Sequence, residues 1–145
     1  MFGNLLKNLT NEEPLKLDKE ETRLAIAALL IRVARSDGDY ALNEIKKIDS
    51  VLARRYLLDR NSTVSLREKA ELLEEEAPST EIFTRGLKEA VSEKERIKIL
   101  EALWIIALAD GERDTEEEEV INFISNLLGV SKLDNNLAKL RITHS

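Results

Sequence analysis

The chain has no cysteine, which excludes disulfides, thiolate metal sites, iron–sulfur clusters and a cysteine nucleophile. Its single histidine, His144, sits in a polar end segment, so no Ser/His/Asp or Cys/His constellation can form inside the domain. Five glycines and two prolines leave too little glycine for a phosphate-cradling loop. Aromatic residues are few, at 4%, and Trp104, Phe83 and Phe123 are expected in the core rather than on a stacking surface. No apolar run reaches the roughly 18 residues that a membrane-spanning helix needs. The opening "MFGNLLKNLTNEEP" carries too short an apolar stretch for a signal peptide, and a cytoplasmic location is the expectation. Positive charge is in deficit as well: 22 Lys and Arg against 28 Asp and Glu give a net charge of −6, with no basic run. Nucleic acid is therefore not an expected partner, whereas cations and basic surfaces are the natural ligands.

What is present is enough apolar material for one hydrophobic core: 145 residues, 43% apolar and 34% charged, rich in helix formers. Phe2, Leu5, Leu6 and Leu9 are spaced for one face of a short helix that is too short to be stable alone. Two fates stay open for it: docking on the domain, or binding a partner or membrane surface. Pro14 breaks the chain before the next helix. From about Lys19 the periodicity is helical to the end. "LAIAALLIRVARS" (24–36) is apolar nearly all round, broken only by Arg32 and Arg35, which predicts a helix buried on most sides. "DGDYA" interrupts it, and "LNEIKKIDSVLARRY" follows as an amphipathic helix with Ile45, Ile48, Val51 and Leu52 on one face. "DRNST" has turn chemistry, and Ser65 with Glu68 forms a capping box that would open the next helix, stopped by Pro78. A short helix, "STEIFTRGLKEAV", comes next. Ser92 and Glu95 cap a second helix that is apolar nearly all round, "RIKILEALWIIALA". "DGERDT" interrupts that one, "EEEEVINFISNLLG" is amphipathic with Gly129 as its C-terminal cap, and a last helix covers about Lys132–Arg141. The fold class expected is all-α: a compact bundle of about seven helices, with an eighth at the start. Residues 1–18 are an N-terminal segment and connector, 19–141 a single domain, and 142–145 a polar tail.

The chain repeats itself. A shift of 73 residues brings Ile26, Leu30, Ala34, Asp37, Gly38, Glu44 and Ile48 onto Ile99, Leu103, Ala107, Asp110, Gly111, Glu117 and Ile121, all identical. The unit is a buried helix, Asp-Gly, five residues, Glu, then an amphipathic helix. Two such units imply a pseudo-twofold helix–turn–helix duplication in which the apolar helices pack together.

On these residues the chain resembles a known family. "VARSDGDYALNEIKKI", "FTRGLKEAVSEKERIKILEALW" and "LWIIALADGERDTEEEEVINFISNLLGVS" look like the stand-alone bacterial members of the TerB-like tellurite-resistance family, over about Leu24 to Ser131. The resemblance implies an all-α fold of about seven helices, an association with chemical-stress gene clusters and a metal role at the acidic positions; it supplies no known reaction. The first copy departs from the pattern at Ala41 and Leu42, where the second has Asp114 and Thr115.

Between Asp110 and Glu119 the sequence holds seven carboxylates and one base, Arg113. A calcium-binding EF-hand register fails, because Val33 and Arg35, or Ile106 and Leu108, would occupy ligand positions. Helix-end physics explains much of the density. Gly38 and Gly111 suit a left-handed helix end, Asp114 with Glu117 suits a cap and its box, and Glu116–Glu119 sit where the macrodipole favours acids. Asp37 and Asp110 oppose the dipole in both copies, so either a hydrogen bond across the turn or a shared cation is expected there. The candidate cation ligands are Asp37, Glu44, Asp110 and Glu117, with Asp39, Glu112 and Asp114 behind them. Oxygen-only ligands favour calcium, magnesium or manganese. The function expected is a non-enzymatic TerB-like module with an acidic divalent-cation site, linked to metal or oxyanion stress. The alternative is an adaptor that docks a protein or membrane surface through the acidic turn or the N-terminal helix. A homo-oligomer stays open.

Overall fold

The computed structural model describes residues 2–11, 16–109 and 115–143, and every statement of structure below concerns these. Among them lie eight helices and no strand: α1 (Gly3–Leu9), α2 (Lys19–Arg35), α3 (Leu42–Tyr56), α4 (Arg60–Glu76), α5 (Glu81–Ala90), α6 (Glu93–Ala107), α7 (Thr115–Leu127) and α8 (Lys132–Thr143). The all-α expectation holds.

The two helices read as apolar all round form the centre. Ala25 through Ile31 of α2 are buried without a break, as are Ile99, Leu100 and Ala102–Trp104 of α6, and the two helices pack on each other. Asp18 starts α2 with a complete capping box: its carboxylate accepts the Glu21 N–H at 2.8 Å, and Glu21 accepts the Asp18 N–H at 3.0 Å. Ser92 opens α6 by accepting the Glu95 N–H at 3.3 Å. Gly38 and Gly129 take positive φ, 81° and 73°, where a side chain would be strained, and so end the turn after α2 and cap α7 as their positions require.

The repeat is larger than its identities suggest. The 73-residue shift carries Arg60, the first residue of α4, onto Leu133, one residue inside α8. α4 packs on α2 and α3 as α8 packs on α6 and α7, and each second helix crosses to the other copy, α3 to α6 and α7 to α2. The unit is therefore three helices, α2–α3–α4 and α6–α7–α8, with α5 between the copies.

Three local expectations are corrected. α4 begins at Arg60, not at Ser65, because Asp59 accepts the Ser62 N–H at 2.7 Å and caps a longer helix; Ser65 and Glu68 fall inside it. Phe123 is 47% exposed, since the buried stripe of α7 runs through Glu117, Ile121, Ile124 and Leu128 and leaves position 123 off that face. α8 runs two residues past Arg141, to Thr143. Trp104 and Phe83 are core, as expected.

α1 is docked on the domain. Phe2, Leu5 and Leu9 are buried, and α1 packs on α5. Gly86 makes this possible: a Cβ there would lie 2.6 Å from Leu9 Cδ2 and 3.1 Å from Leu17 Cδ1. No helix among the described residues is long and apolar enough to cross a membrane.

Candidate functional site

The position of the two turns follows from one residue. Tyr56, at the end of α3, lies under the Arg23 guanidinium near the start of α2, 4.7 Å from ring centroid to Cζ. Burial pushes its phenol pKa up; Arg55 and Arg23 pull it down, and the Glu95 carboxylate near the start of α6 pushes it up again. The starts of α2 and α6 thus share one end of the bundle with the end of α3. The ends of α2 and α6, and the start of α3, share the other. Arg96, near the start of α6, donates to the Leu128 carbonyl beyond α7 at 3.4 Å, which places the start of α7 at that second end too. The described helix ends that flank both interruptions, the ends of α2 and α6 and the starts of α3 and α7, therefore lie at the same end of the molecule.

Glu44 and Glu117 sit there, in the first turns of α3 and α7, 7% and 5% exposed. A carboxylate is seldom this buried, and here two are, at positions the repeat makes equivalent. Glu44 Oε1 accepts the Ala41 N–H at 3.4 Å, reaching back over its own helix start. Asp37 is half-buried in the turn after α2, and its Oδ1 accepts the Asp39 N–H at 2.9 Å, a hydrogen bond across the turn, one of the two alternatives for it. Asp39 itself is exposed. Asp110, Glu112 and Asp114 lie outside the described residues. Among those described, no three carboxylate or imidazole side chains come together as a metal-ligand group.

Sequence reasoning passed over what fixes the first turn. Arg32 and Arg35 looked like mere interruptions of an apolar helix, yet both reach Glu74 of α4, at 3.0 and 2.7 Å. Arg32 also donates to the Glu74 carbonyl and to Thr80 Oγ1. Arg35 lies over the Tyr40 ring at 4.9 Å, and the Tyr40 hydroxyl donates to Glu71 at 2.7 Å. Burial, then the Glu71 hydrogen bond and charge, push the Tyr40 pKa far above that of a free phenol, although Arg67 and Arg35 oppose the shift. Arg67 closes the cluster on Asp49 at 2.6 Å. The available signal was the three-residue spacing of two arginines on one face of α2, together with the glutamate run that ends α4.

The corresponding region of the second copy is built from different chemistry. Trp104 Nε1–H donates to Asn135 at 2.9 Å, and the Asn135 amide donates to Asn122 at 2.9 Å. Lys139 pairs with Glu118 and Arg141 with Glu101.

A family model described as tellurite resistance protein TerB matches residues 23–140. Among curated proteins and solved structures, none matches.

Proposed function

Because the chain belongs to the family described as tellurite resistance protein TerB, we propose that it works without catalysis, as a module that answers metal or oxyanion stress through a divalent cation held by acids of its two turns. The observation that carries this reading is the pair of buried acids, Glu44 and Glu117, at equivalent points of the two copies and at one end of the bundle. The donor set fits a hard cation, since every candidate ligand is an oxygen. Glu44 and Glu117 would supply buried carboxylates and Asp37 a half-buried one. The described residues assemble no complete group, so the reading requires an acid of the second turn as well, with Asp110 as first choice and Glu112 or Asp114 behind it. A bound cation would offset the acid charge and tie one copy to the other.

The test is the melting temperature during titration with calcium, magnesium and manganese. A cation at about 100 times its Kd adds roughly 2.7 kcal/mol of stability. The expected result is a rise in wild type that Glu117→Gln and Asp110→Asn each reduce. No rise at millimolar metal would remove the cation reading. A rise that both variants keep would remove its assignment to these residues.

The adaptor reading asks more of α1 than of the acidic turn. Phe2, Leu5 and Leu9 already face the domain, so α1 would have to detach before it could offer them to a membrane or partner. Docking of a basic partner on the acidic turn remains.

A further inference from the structure

The duplication leaves one groove filled and its counterpart open. In the first, α5 lies between α2 and α7 and packs on both. It begins beside Arg32, whose guanidinium sits 5.7 Å from the Phe83 ring, and it ends beside Leu128, where Arg96 bridges the carbonyls of Lys88 and Leu128. Ile82, Phe83, Gly86 and Leu87 are the face it buries. The 73-residue shift turns α2 into α6 and α7 into α3. Between those two helices runs a groove of about 1010 Å³, closed at one side by Ile142 and Thr143 of α8. No described helix occupies it.

The two grooves share an apolar floor and differ at the rim. Val51 and Ala102 of the open groove stand where Ile124 and Leu29 stand in the filled one, and Ile105 adds to that floor. At the rim, Lys47, Arg54, Arg55 and Lys98 replace Val120, Leu127, Leu128 and Ala25. Glu101 is the one acid among the described lining residues, and Arg141 already holds it at 2.6 Å. A protein with a net charge of −6 has thus gathered four bases around an apolar trough.

We propose that the α3–α6 groove binds an amphipathic helix of a partner protein, seated as α5 is seated in the equivalent groove, with acidic residues along its edges. The floor takes two or three apolar side chains one helical turn apart, and the basic rim selects an acidic helix over a neutral or basic one. The charged rim also keeps the groove soluble while it is open, which suits a partner that comes and goes. The groove reaches the acidic end at Lys47, Leu108 and Ala109, but helix binding along it does not depend on a cation there.

A fluorescent peptide of the α5 sequence, Glu81–Ala90, carrying Arg85→Glu and Lys88→Glu and held helical by a staple, is the probe. Its control keeps Arg85 and Lys88 and carries Glu81→Lys and Glu89→Lys. The full chain should bind the acidic peptide at least about tenfold more tightly than the basic one at low salt, with the margin shrinking as salt rises. Lys47→Glu with Arg54→Glu, both exposed residues, should reverse that preference while circular dichroism and melting stay near wild type. The proposal is overturned if neither peptide binds, or if the folded charge-reversed variant still prefers the acidic one. It is also overturned if sedimentation shows a dimer of the chain that the same two substitutions dissolve, since the groove would then belong to a second copy.

Discussion

The two copies share a helix arrangement and are held by opposite means. In α2–α3–α4 the ties all run to carboxylates: ion pairs from Arg32 and Arg35 to Glu74 and from Arg67 to Asp49, and a hydrogen bond from the neutral Tyr40 hydroxyl to Glu71. In α6–α7–α8 the inner tie is a neutral chain from Trp104 through Asn135 to Asn122, with ion pairs outside it. The shift places Ile105 and Leu108 where the first copy has Arg32 and Arg35. The first copy therefore needs acids on α4 to satisfy its buried-helix arginines, and the second needs none there. A duplicated backbone plan tolerates this because apolar packing at the axis, which is the same in both copies, sets the arrangement. The polar ties then only have to be satisfied locally.

The largest effects should therefore be those that do not distinguish the copies. Leu30 and Leu103 are equivalent, identical and fully buried on the two central helices. Leu30→Ala and Leu103→Ala should each destabilise by about 2–5 kcal/mol in urea unfolding. A site with a much smaller loss would show that the axis is not shared evenly.

Next come the ties, where the copies should separate. Glu74→Ala strands two arginines that are 18% and 25% exposed and should cost about 1–3 kcal/mol, less at high salt. Asn135→Ala leaves the Trp104 N–H buried without its acceptor and should cost about 1–3 kcal/mol, with no dependence on salt. Equal salt sensitivity of the two losses would erase the distinction between ionic and amide ties.

Alkaline pH sharpens the contrast. The chain has two tyrosines, Tyr40 and Tyr56, both in the first copy and both with raised pKa. A raised folded pKa gives stability that is complete below the unfolded value, about 10 for a phenol, and is lost as pH climbs above it. The urea midpoint should thus fall from about pH 9 to pH 11, and Tyr40→Phe with Tyr56→Phe should flatten that fall. An unchanged slope in the double variant would mean that the tyrosines do not carry it.

The smallest effect concerns the start of α4. The Ser62 N–H holds the Asp59 carboxyl below its ordinary pKa, so this contribution is present above the unfolded value and is lost as acid protonates the cap. Asp59→Ala should speed amide exchange over residues 60–64 and leave Ser65 with Glu68 as the surviving cap. Unchanged exchange there would mean that packing, not the cap, sets the helix start.

That pair of competing caps shows where the sequence was legible. The buried helices, their interruptions and the copy relation were written in apolar periodicity and in seven identities. Which cap opens α4 was not, because Ser65 with Glu68 matches the full capping-box pattern while Asp59, with Ser62 at the third helical position, is a lone cap, and burial of Thr63 and packing against α2 and α3 add to Asp59 in favour of the longer helix. α8 escaped notice as the counterpart of α4 for a related reason. At the 73-residue shift no residue from Arg60 to Ala70 is identical to its partner, so the equivalence lives in packing alone. Of the candidate site, Glu44 and Glu117 stood out in sequence as repeated acids, but their burial did not, since helix starts normally expose their acids. The open groove was invisible, because its bases are spread from Lys47 to Lys98 and meet only when α3 lies along α6.

Manganese relaxation tests the central claim most directly: that the copies bring both acidic turns to one end and share a cation there. Substoichiometric manganese should broaden the amide resonances of residues 37–44 and 110–117 together, and magnesium or calcium should displace it. Broadening confined to one of these segments, or scattered over the acids of α4 as readily as over the turns, would contradict it.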